Sequence, residues 1–377
     1  MNTLRRRWLQ AAMVAALAGA SAVAHAQDGV TKSSLVLGQS LALTGPGSAL
    51  AGPFHTGAKL YFDKVNAAGG VNGRQVELVT LDDHGNAATA AANTKKLLQQ
   101  GVLALFGYYG SPQVAASYPL VKDTDVLLFA PAAGADELRG ANYANVYSLR
   151  PGYSEEAAAI TKHAETLGAR KLAILYGGDG ESLAALDAAE RTMTGLGANL
   201  VSKQMLASGA VAGTVDKTLA ANPESVLVIN DASAAAGAVR DLREKGFRGP
   251  IYGFSNTGEK LLAEQLGPTG AGVVVVRVVP KSDSAKIAVV RELTADAQAA
   301  KAGAPNVYML EGYLAAKAFV EAARRMPRDA GRAKLRKAVE SLDDVNLGGF
   351  RVHFADARVA SKMVELSLID SQGRVRE

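Results

Sequence analysis

The chain has 377 residues, of which 48% are hydrophobic and 20% charged, and its formal net charge is +5 at pH 7. It contains no cysteine, which excludes disulfides, thiol catalysis, thiolate metal sites and a lipid-modified cysteine anchor. Much of the small positive charge lies in the first residues, so the composition indicates neither nucleic acid nor an anionic membrane as a partner.

The first residues have the pattern of a cleaved secretory signal peptide. Three arginines, Arg5 to Arg7, precede a short Ala-rich apolar stretch that closes on the small-x-small sequence Ala24-His25-Ala26. The alternative is an uncleaved anchor, but the stretch is short and weakly hydrophobic for a span of about 20 residues. We expect cleavage after Ala26 and release into the periplasm without a lipid anchor. The general secretory and twin-arginine routes both stay open.

The residues after the signal peptide alternate between β-branched runs and Ala-rich amphipathic stretches. They are too many for one ordinary core, and this alternation is typical of parallel α/β sheets. The first run of predicted strands comprises "SLVLGQSLAL", "RQVELVTLDD", "VLALFG" and "DVLLFAP". After "NVYSLRPGY" a second run follows with "RKLAILYG", "NLVSKQML", "SVLVIND" and "PIYGFSN". We therefore predict two doubly wound parallel-sheet lobes.

The last third breaks the alternation. A long β run, "GAGVVVVRVVP", precedes helices predicted over 283–302, 306–326 and 330–341 and then two short β segments. We expect the helices to complete the first lobe and the final strands the second, with three short hinge crossings. The predicted division is 27–149 plus 280–348 for the first lobe and 150–279 plus 349–377 for the second.

The stretch "LALFGYYGSPQVAAS", residues 103–117, joins a predicted strand to a predicted helix at a point where parallel sheets gather ligands. Ser111 followed by Pro112 is a helix-start pattern, so one interpretation is a plain N-cap. The other adds a function, because a capping hydroxyl still has a proton to donate to a ligand carboxylate. Gly110 would allow close approach of the backbone, and Tyr109 would form a wall of the site.

Motifs for catalysis are weak. The sequence Gly107-Tyr-Tyr-Gly-Ser111 is not the Gly-x-Ser-x-Gly of a nucleophile elbow, and "GPGSALAG" lacks the Lys-Ser/Thr ending of a phosphate loop. No histidine falls in a predicted cleft loop, so a serine hydrolase that uses Ser111 has no evident base. We expect no catalysis, no cofactor and no metal.

Several stretches resemble the leucine/isoleucine/valine-binding family of type I periplasmic solute receptors. They include "LTGPGSALAG", "LFGYYGS", "APAAGADELRG", "VYSLRPGYSEEA" and "LEGYLAAKAFVEAARR". The resemblance implies a two-lobe receptor that closes on a small-molecule ligand and delivers it to an ABC-type inner-membrane permease. We expect a monomer, with the oligomeric state left open. A sensor that reports the ligand to a membrane receptor or regulator is the alternative. The ligand stays open among amino acids, amides, aromatic acids and short aliphatic acids.

The resemblance also implies a position for the ligand carboxylate in the first lobe. The family seats this group on a Ser or Thr where the chain has Ser111. It also uses the backbone of the loop that matches Ala132, Ala133 and Gly134. This supports the interpretation of Ser111 as a ligand-binding residue.

The second lobe departs from the family pattern. Glu181 and Asp231 stand where amino-acid receptors commonly have aromatic residues, and Ser255 stands where a carboxylate commonly holds the ligand's ammonium group. We hypothesise that Glu181 or Asp231 faces a cationic or amide group of the ligand. The alternative places both acids at the cleft rim or in helix caps, with Asp231 as an N-cap. We further expect Tyr153 to line the cleft and Arg150 to brace the hinge.

Overall fold

The structure is a computed structural model that describes residues 27–206, 211–355 and 357–376. The predicted signal peptide, 1–26, and its cleavage lie outside these residues. Within them, none of the helices combines the length and the apolar character that crossing a membrane requires.

The order of elements alternates strands with helices through most of the chain, as predicted. The strands are β1 Ser34–Leu41, β2 Gln75–Asp82, β3 Ala104–Phe106, β4 Leu128–Phe129, β5 Val146–Tyr147, β6 Lys171–Tyr176, β7 Asn199–Met205, β8 Ser225–Ile229, β9 Ile251–Gly253, β10 Val273–Arg277, β11 Val345–Asn346, β12 Arg351–Val352, β13 Glu365–Ile369 and β14 Val375–Arg376. The helices are α1 Ser48–Ala67, α2 Ala87–Gln99, α3 Ser111–Ser117, α4 Tyr153–Thr166, α5 Gly180–Gly195, α6 Val211–Ala220, α7 Ala232–Glu244, α8 Glu259–Leu266, α9 Ala288–Ala299, α10 Val307–Arg324 and α11 Arg332–Glu340.

Two sheets confirm the predicted architecture of two α/β lobes. The first has five parallel strands in the order β2-β1-β3-β4-β5. The second has the order β14-β13-β10-β9-β8-β6-β7, in which β6 to β10 are parallel and the last two strands run antiparallel. Because parallel strands end at the same edge of a sheet, each lobe gathers its strand-end loops on one side.

Helices from the last third of the chain complete the first lobe. The closest packing is between α1 and α10, and two glycines allow it. A Cβ on Gly57 would lie 1.8 Å from the carbonyl oxygen of Met309, and one on Gly312 would lie 1.9 Å from that of Phe54. Any side chain at either position would force the two helix backbones apart.

The chain passes from one hydrophobic core to the other at three places. Leu149 packs in the first core and Tyr153 in the second, and the change at the second crossing falls between Val278 and Val279. At the third crossing Met363 packs against the first core and Val364 against the second. The predicted division of the chain stays a prediction. The packing of residues 350–360 with the first core favours placing its last boundary near 364 rather than 349.

Candidate functional site

A cavity of about 350 Å³ lies between the strand-end loops of the two lobes. The first lobe supplies residues from the starts of α1 and α3 and from the loop after β4, and the second supplies the starts of α4, α5 and α7. The residues that line the cavity include Tyr109, Gln113, Ala132, Tyr153, Glu181 and Asp231. Tyr109, Ala132, Tyr153, Glu181 and Asp231 were predicted to bind the ligand, whereas Gln113 was missed.

Ser111 is the first residue of α3, and Gly110 occupies the N-cap position. The Ser111 side chain makes no capping hydrogen bond, so the N-cap interpretation is wrong. Its hydroxyl instead accepts from the backbone N–H of Ala135 at 3.0 Å and donates to the carboxylate of Glu181 at 2.8 Å. The hydroxyl therefore accepts one hydrogen bond and donates another, as predicted. The bond that it accepts holds the loop at Ala135 and does not cap a helix.

Glu181 reaches across the cleft and bonds to the first lobe. Its Oε2 accepts from the backbone N–H of Ser111 at 2.5 Å, and its Oε1 accepts from the hydroxyls of Ser111 at 2.8 Å and Tyr153 at 2.5 Å. We call these three donors the carboxylate site. The hypothesis that Glu181 faces a cationic or amide group of a ligand stays a prediction, since in this structure the protein's own donors occupy the carboxylate.

The position of Glu181 is fixed from its own lobe. It lies in the first turn of α5, whose N-cap, Asp179, accepts from the backbone N–H groups of Glu181 and Ser182, each at 3.0 Å. Directly before it, Gly180 contacts the first lobe, because a Cβ there would lie 2.9 Å from Cγ of Pro112. The lobes are thus in contact at the cleft, and the structure is a closed form.

Tyr153 is held in its place by packing on both sides. Its ring stacks on Phe254 with centroids 5.2 Å apart. On the other side, a Cβ on Gly134 would lie 2.4 Å from the ring, so only glycine fits there. The backbone N–H of Tyr153 donates to the carbonyl of Gly134 at 2.9 Å. Burial raises the pKa of the Tyr153 phenol well above its ordinary value, so the hydroxyl is a donor at neutral pH.

Asp231 is the N-cap of α7, as the alternative interpretation stated. Its Oδ1 accepts from the backbone N–H groups of Ser233 and Ala234 at 2.8 and 3.0 Å. The side chain also borders the cavity at its exposed rim. Helix capping accounts for both of its observed hydrogen bonds.

Ser255 and Ala133 lie behind the cavity wall. The hydroxyl of Ser255 donates to Glu156 at 2.8 Å and accepts from Arg150, and Asn256 is the neighbour that borders the cavity. The carbonyl of Ala133 accepts from Arg139 at 2.9 Å. Ligand contact by Ser255, Ala133 or the neighbouring Gly134 stays a prediction.

Arg150 links the lobes beneath the cavity, in line with its expected role at the hinge. Its guanidinium donates to Glu156 in the second lobe at 2.8 Å and lies 3.6 Å from Glu311 in the first. All three side chains are buried. Burial favours a lower pKa for Arg150, but the charges of Glu311 and Glu156 outweigh it and raise the pKa. Burial raises the pKa of both carboxyl groups despite the neighbouring Arg150.

Two amide oxygens at the cavity wall are unpartnered within the described part of the chain. They are Oε1 of Gln113 and Oδ1 of Asn256. The Nε2 of Gln113 donates to the carbonyl of Gly85 at 2.9 Å, which orients the amide and leaves the oxygen as the free acceptor. Sequence inspection missed Gln113 and Asn256, and also Glu156 and Glu311, because polar residues in helices and loops are usually exposed. Only Glu311, a single acid in the apolar "VYMLEGYLAAKAF", gave a detectable signal.

The site has no evident centre for metal chemistry. Across residues 27–206, 211–355 and 357–376, no group of three or more His, Asp or Glu side chains could hold a metal ion. The polar groups at the cavity are hydroxyls, amides, one guanidinium and carboxylates, which suit the binding of a small polar molecule.

Comparisons with known sequences agree with the resemblance. A sequence model of the family described as periplasmic binding protein matches residues 34–369. A leucine-, isoleucine-, valine-, threonine- and alanine-binding protein of Pseudomonas aeruginosa is 30% identical over 105 residues, which is 28% of each chain. The chain thus spans little more than a quarter of the length of the first curated relatives that it matches.

Comparisons with solved structures cover nearly the whole described chain. An extracellular ligand-binding receptor from Verminephrobacter eiseniae is 25% identical with a TM-score of 0.84, over 92% of this chain and 100% of that one. A substrate-binding periplasmic protein from Ralstonia solanacearum is 26% identical with a TM-score of 0.82, over 90% and 99% of the two chains. The chain therefore belongs to the periplasmic binding protein family and has the fold of the type I periplasmic binding proteins.

Proposed function

We propose that this chain is an exported solute receptor that captures a small, carboxylate-bearing, amino-acid-like ligand between its lobes and delivers it to an ABC importer. The observation that carries the proposal is the carboxylate site. The backbone N–H and hydroxyl of Ser111 and the hydroxyl of Tyr153 converge on one point in the cleft, where they already hold a carboxylate. Three converging donors suit a carboxylate, which offers about four lone-pair positions.

The free amide oxygens support an amino-acid-like ligand. Oε1 of Gln113 and Oδ1 of Asn256 are acceptors at the cavity wall without a partner among the described residues. A buried acceptor that stays unsatisfied costs about 1–3 kcal/mol, so a ligand with an ammonium or amide N–H would gain by meeting it. Asp231 at the rim adds a carboxylate of suitable charge for an ammonium group.

Hinge closure supplies the mechanism. A ligand can favour the closed form only through contacts that the open form lacks, and here those are the contacts with the second lobe. The residues that close the cleft from that side are Tyr153, Glu181 and Asn256. Specificity would therefore be set in the second lobe, which is where the sequence departs from the family pattern.

The names of the relatives support solute binding, and the site gives no support to catalysis. The Pseudomonas aeruginosa relative is named for the amino acids that it binds. The hydroxyl of Ser111 contacts Ala135 and Glu181, and no histidine contacts it in the part of the chain that the structure describes. Export with cleavage after Ala26, release without a lipid anchor, a monomeric state and delivery to an inner-membrane permease belong to the same proposal.

A thermal-shift screen against amino acids, their amides and short organic acids tests the binding, with calorimetry on each hit. A ligand at 100 times its Kd should add about 2.7 kcal/mol to the free energy of unfolding. Ser111→Ala should weaken binding of a carboxylate, while Asp187→Asn, an exposed acid paired with Arg191 on the same helix, should leave it unchanged. Failure of the whole library to bind would contradict the proposal.

Uptake of the identified ligand by cells tests delivery. Deletion of the gene should abolish high-affinity uptake, and restoring it should recover uptake. If deletion left uptake unchanged but abolished a transcriptional or motility response to the same compound, the sensor role would replace transport.

A further inference from the structure

We infer that Glu181 is an internal competitor of the ligand, a carboxylate of the protein that occupies the carboxylate site and holds the lobes closed when no solute is bound. The inference rests on the proposed function in one respect: it takes the carboxylate site to be the place where a ligand carboxylate binds. It goes further, because it makes ligand entry an exchange of one carboxylate for another.

Glu181 occupies the carboxylate site completely. Both oxygens of Glu181 are used, one by the backbone N–H of Ser111 and the other by the hydroxyls of Ser111 and Tyr153. No donor of the carboxylate site is left for a second carboxylate. A ligand carboxylate therefore reaches these donors only after Glu181 leaves them.

Charge also opposes entry of a second carboxylate. Arg150, which lines the cavity, is already paired with Glu156 and Glu311, and Arg139 donates to four backbone carbonyls. Among the described residues no Lys, Arg or His forms an ion pair with Glu181. Since Arg150 already faces two carboxyl groups, it does not offset a ligand carboxylate placed beside Glu181, and simultaneous occupation is unfavourable.

Glu181 also connects the two lobes. Its helix, α5, belongs to the second lobe, whereas Ser111 begins a helix of the first. The two hydrogen bonds to Ser111 exist only when the cleft is closed. They thus favour closure in the same way as a bound ligand does, but without one.

Two consequences follow. The ligand-free protein should populate the closed form, and this population should depend on Glu181. Protein in which Glu181 occupies the carboxylate site cannot bind a ligand carboxylate there. The apparent affinity for the ligand is therefore the intrinsic affinity multiplied by the fraction of protein in which the site is open. Glu181→Gln, which loses the charge and keeps the shape, should bind a carboxylate amino acid about tenfold more tightly.

The decisive measurement is the distance between the lobes without ligand. The chain has no cysteine, so two can be introduced for spin labels, Lys95→Cys in the first lobe and Lys217→Cys in the second, both at exposed positions. Pulsed electron spin resonance on this pair should show a short-distance population that shrinks in Glu181→Gln and in Glu181→Ala. The matched control Glu190→Gln, an acid of the same helix that pairs with Lys203 in its own lobe, should keep it. An unchanged distance distribution in both Glu181 variants would overturn the inference.

Calorimetry with L-leucine tests whether Glu181 weakens or strengthens ligand binding. Tighter binding to Glu181→Gln than to the unaltered protein supports competition. Weaker binding would overturn it, because Glu181 would then be helping to hold the ligand. If L-leucine and the rest of the amino-acid library bind neither protein, the proposed function fails, and the distance measurement alone decides the role of Glu181.

Discussion

Arg150 offers the sharpest test of how the two lobes are held together. It is 5% exposed and lies between buried carboxyl groups from opposite lobes, 2.8 Å from Glu156 and 3.6 Å from Glu311. Arg150→Met removes the cation and leaves two buried carboxyl groups facing each other. Breaking a buried ion pair from one side costs about 3–5 kcal/mol. We expect the free energy of unfolding to fall by about that amount, measured by urea unfolding followed by circular dichroism.

The controls separate loss of charge from loss of volume. Combining Arg150→Met with Glu156→Gln and Glu311→Gln removes the uncompensated charge and should recover at least half of the loss. Arg191→Met changes an arginine that is 64% exposed and should alter stability by no more than about 0.5 kcal/mol. A loss below about 1 kcal/mol for Arg150→Met would refute the view that this cation holds the hinge.

Three further predictions follow from the same contacts. Because burial raises the pKa of Glu311, the folded state keeps a proton that the unfolded state loses. The free energy of unfolding should therefore fall as the pH rises from about 4.5 through the raised pKa. Glu311→Gln should flatten this decline, measured by urea unfolding at several pH values. Ser111→Ala leaves a buried backbone N–H without its acceptor and should cost about 1–3 kcal/mol in urea unfolding. Asp231→Ala removes the N-cap of α7 and should lower the free energy of unfolding by about 0.5–2 kcal/mol, measured by thermal unfolding.

The architecture was predictable because it depends on local sequence patterns. Buried parallel strands need continuous β-branched runs, such as the "VVVVR" of β10, and crossover helices need amphipathic stretches. The final boundary was harder. Residues 345–346 and 351–352 form a two-stranded antiparallel sheet of their own, and Phe350 and Phe354 then pack in the first core. A short local hairpin carries no sequence signal for the lobe on which it packs.

The sequence predicted where the candidate site lies, but not which of its residues are hydrogen-bonded to each other. Strand ends, glycines and a Ser-Pro pair located Ser111 at the cleft. Its hydrogen bonds run to Ala135 and to Glu181, which lie 24 and 70 residues further along the chain. Such contacts depend on how distant loops and lobes pack together, which the periodicity of the sequence does not indicate. The same limit hid the pairing of Glu156 with Glu311 across Arg150.

Two of the connections between the lobes, those of Arg150 and of Glu181, lie at different places relative to the chain crossings, and this difference separates their roles. Arg150 lies in the first crossing itself, so rotation about the hinge moves its partners little. Ser111 and Glu181 instead join the first turns of α3 and α5 at the cavity, one from each lobe, so rotation of the lobes pulls them directly apart. A small opening therefore breaks the bonds to Glu181 and can leave those of Arg150 intact. In the exchange inferred above, Glu181 holds the lobes closed without ligand, and its replacement by a ligand carboxylate couples solute binding to movement about the hinge.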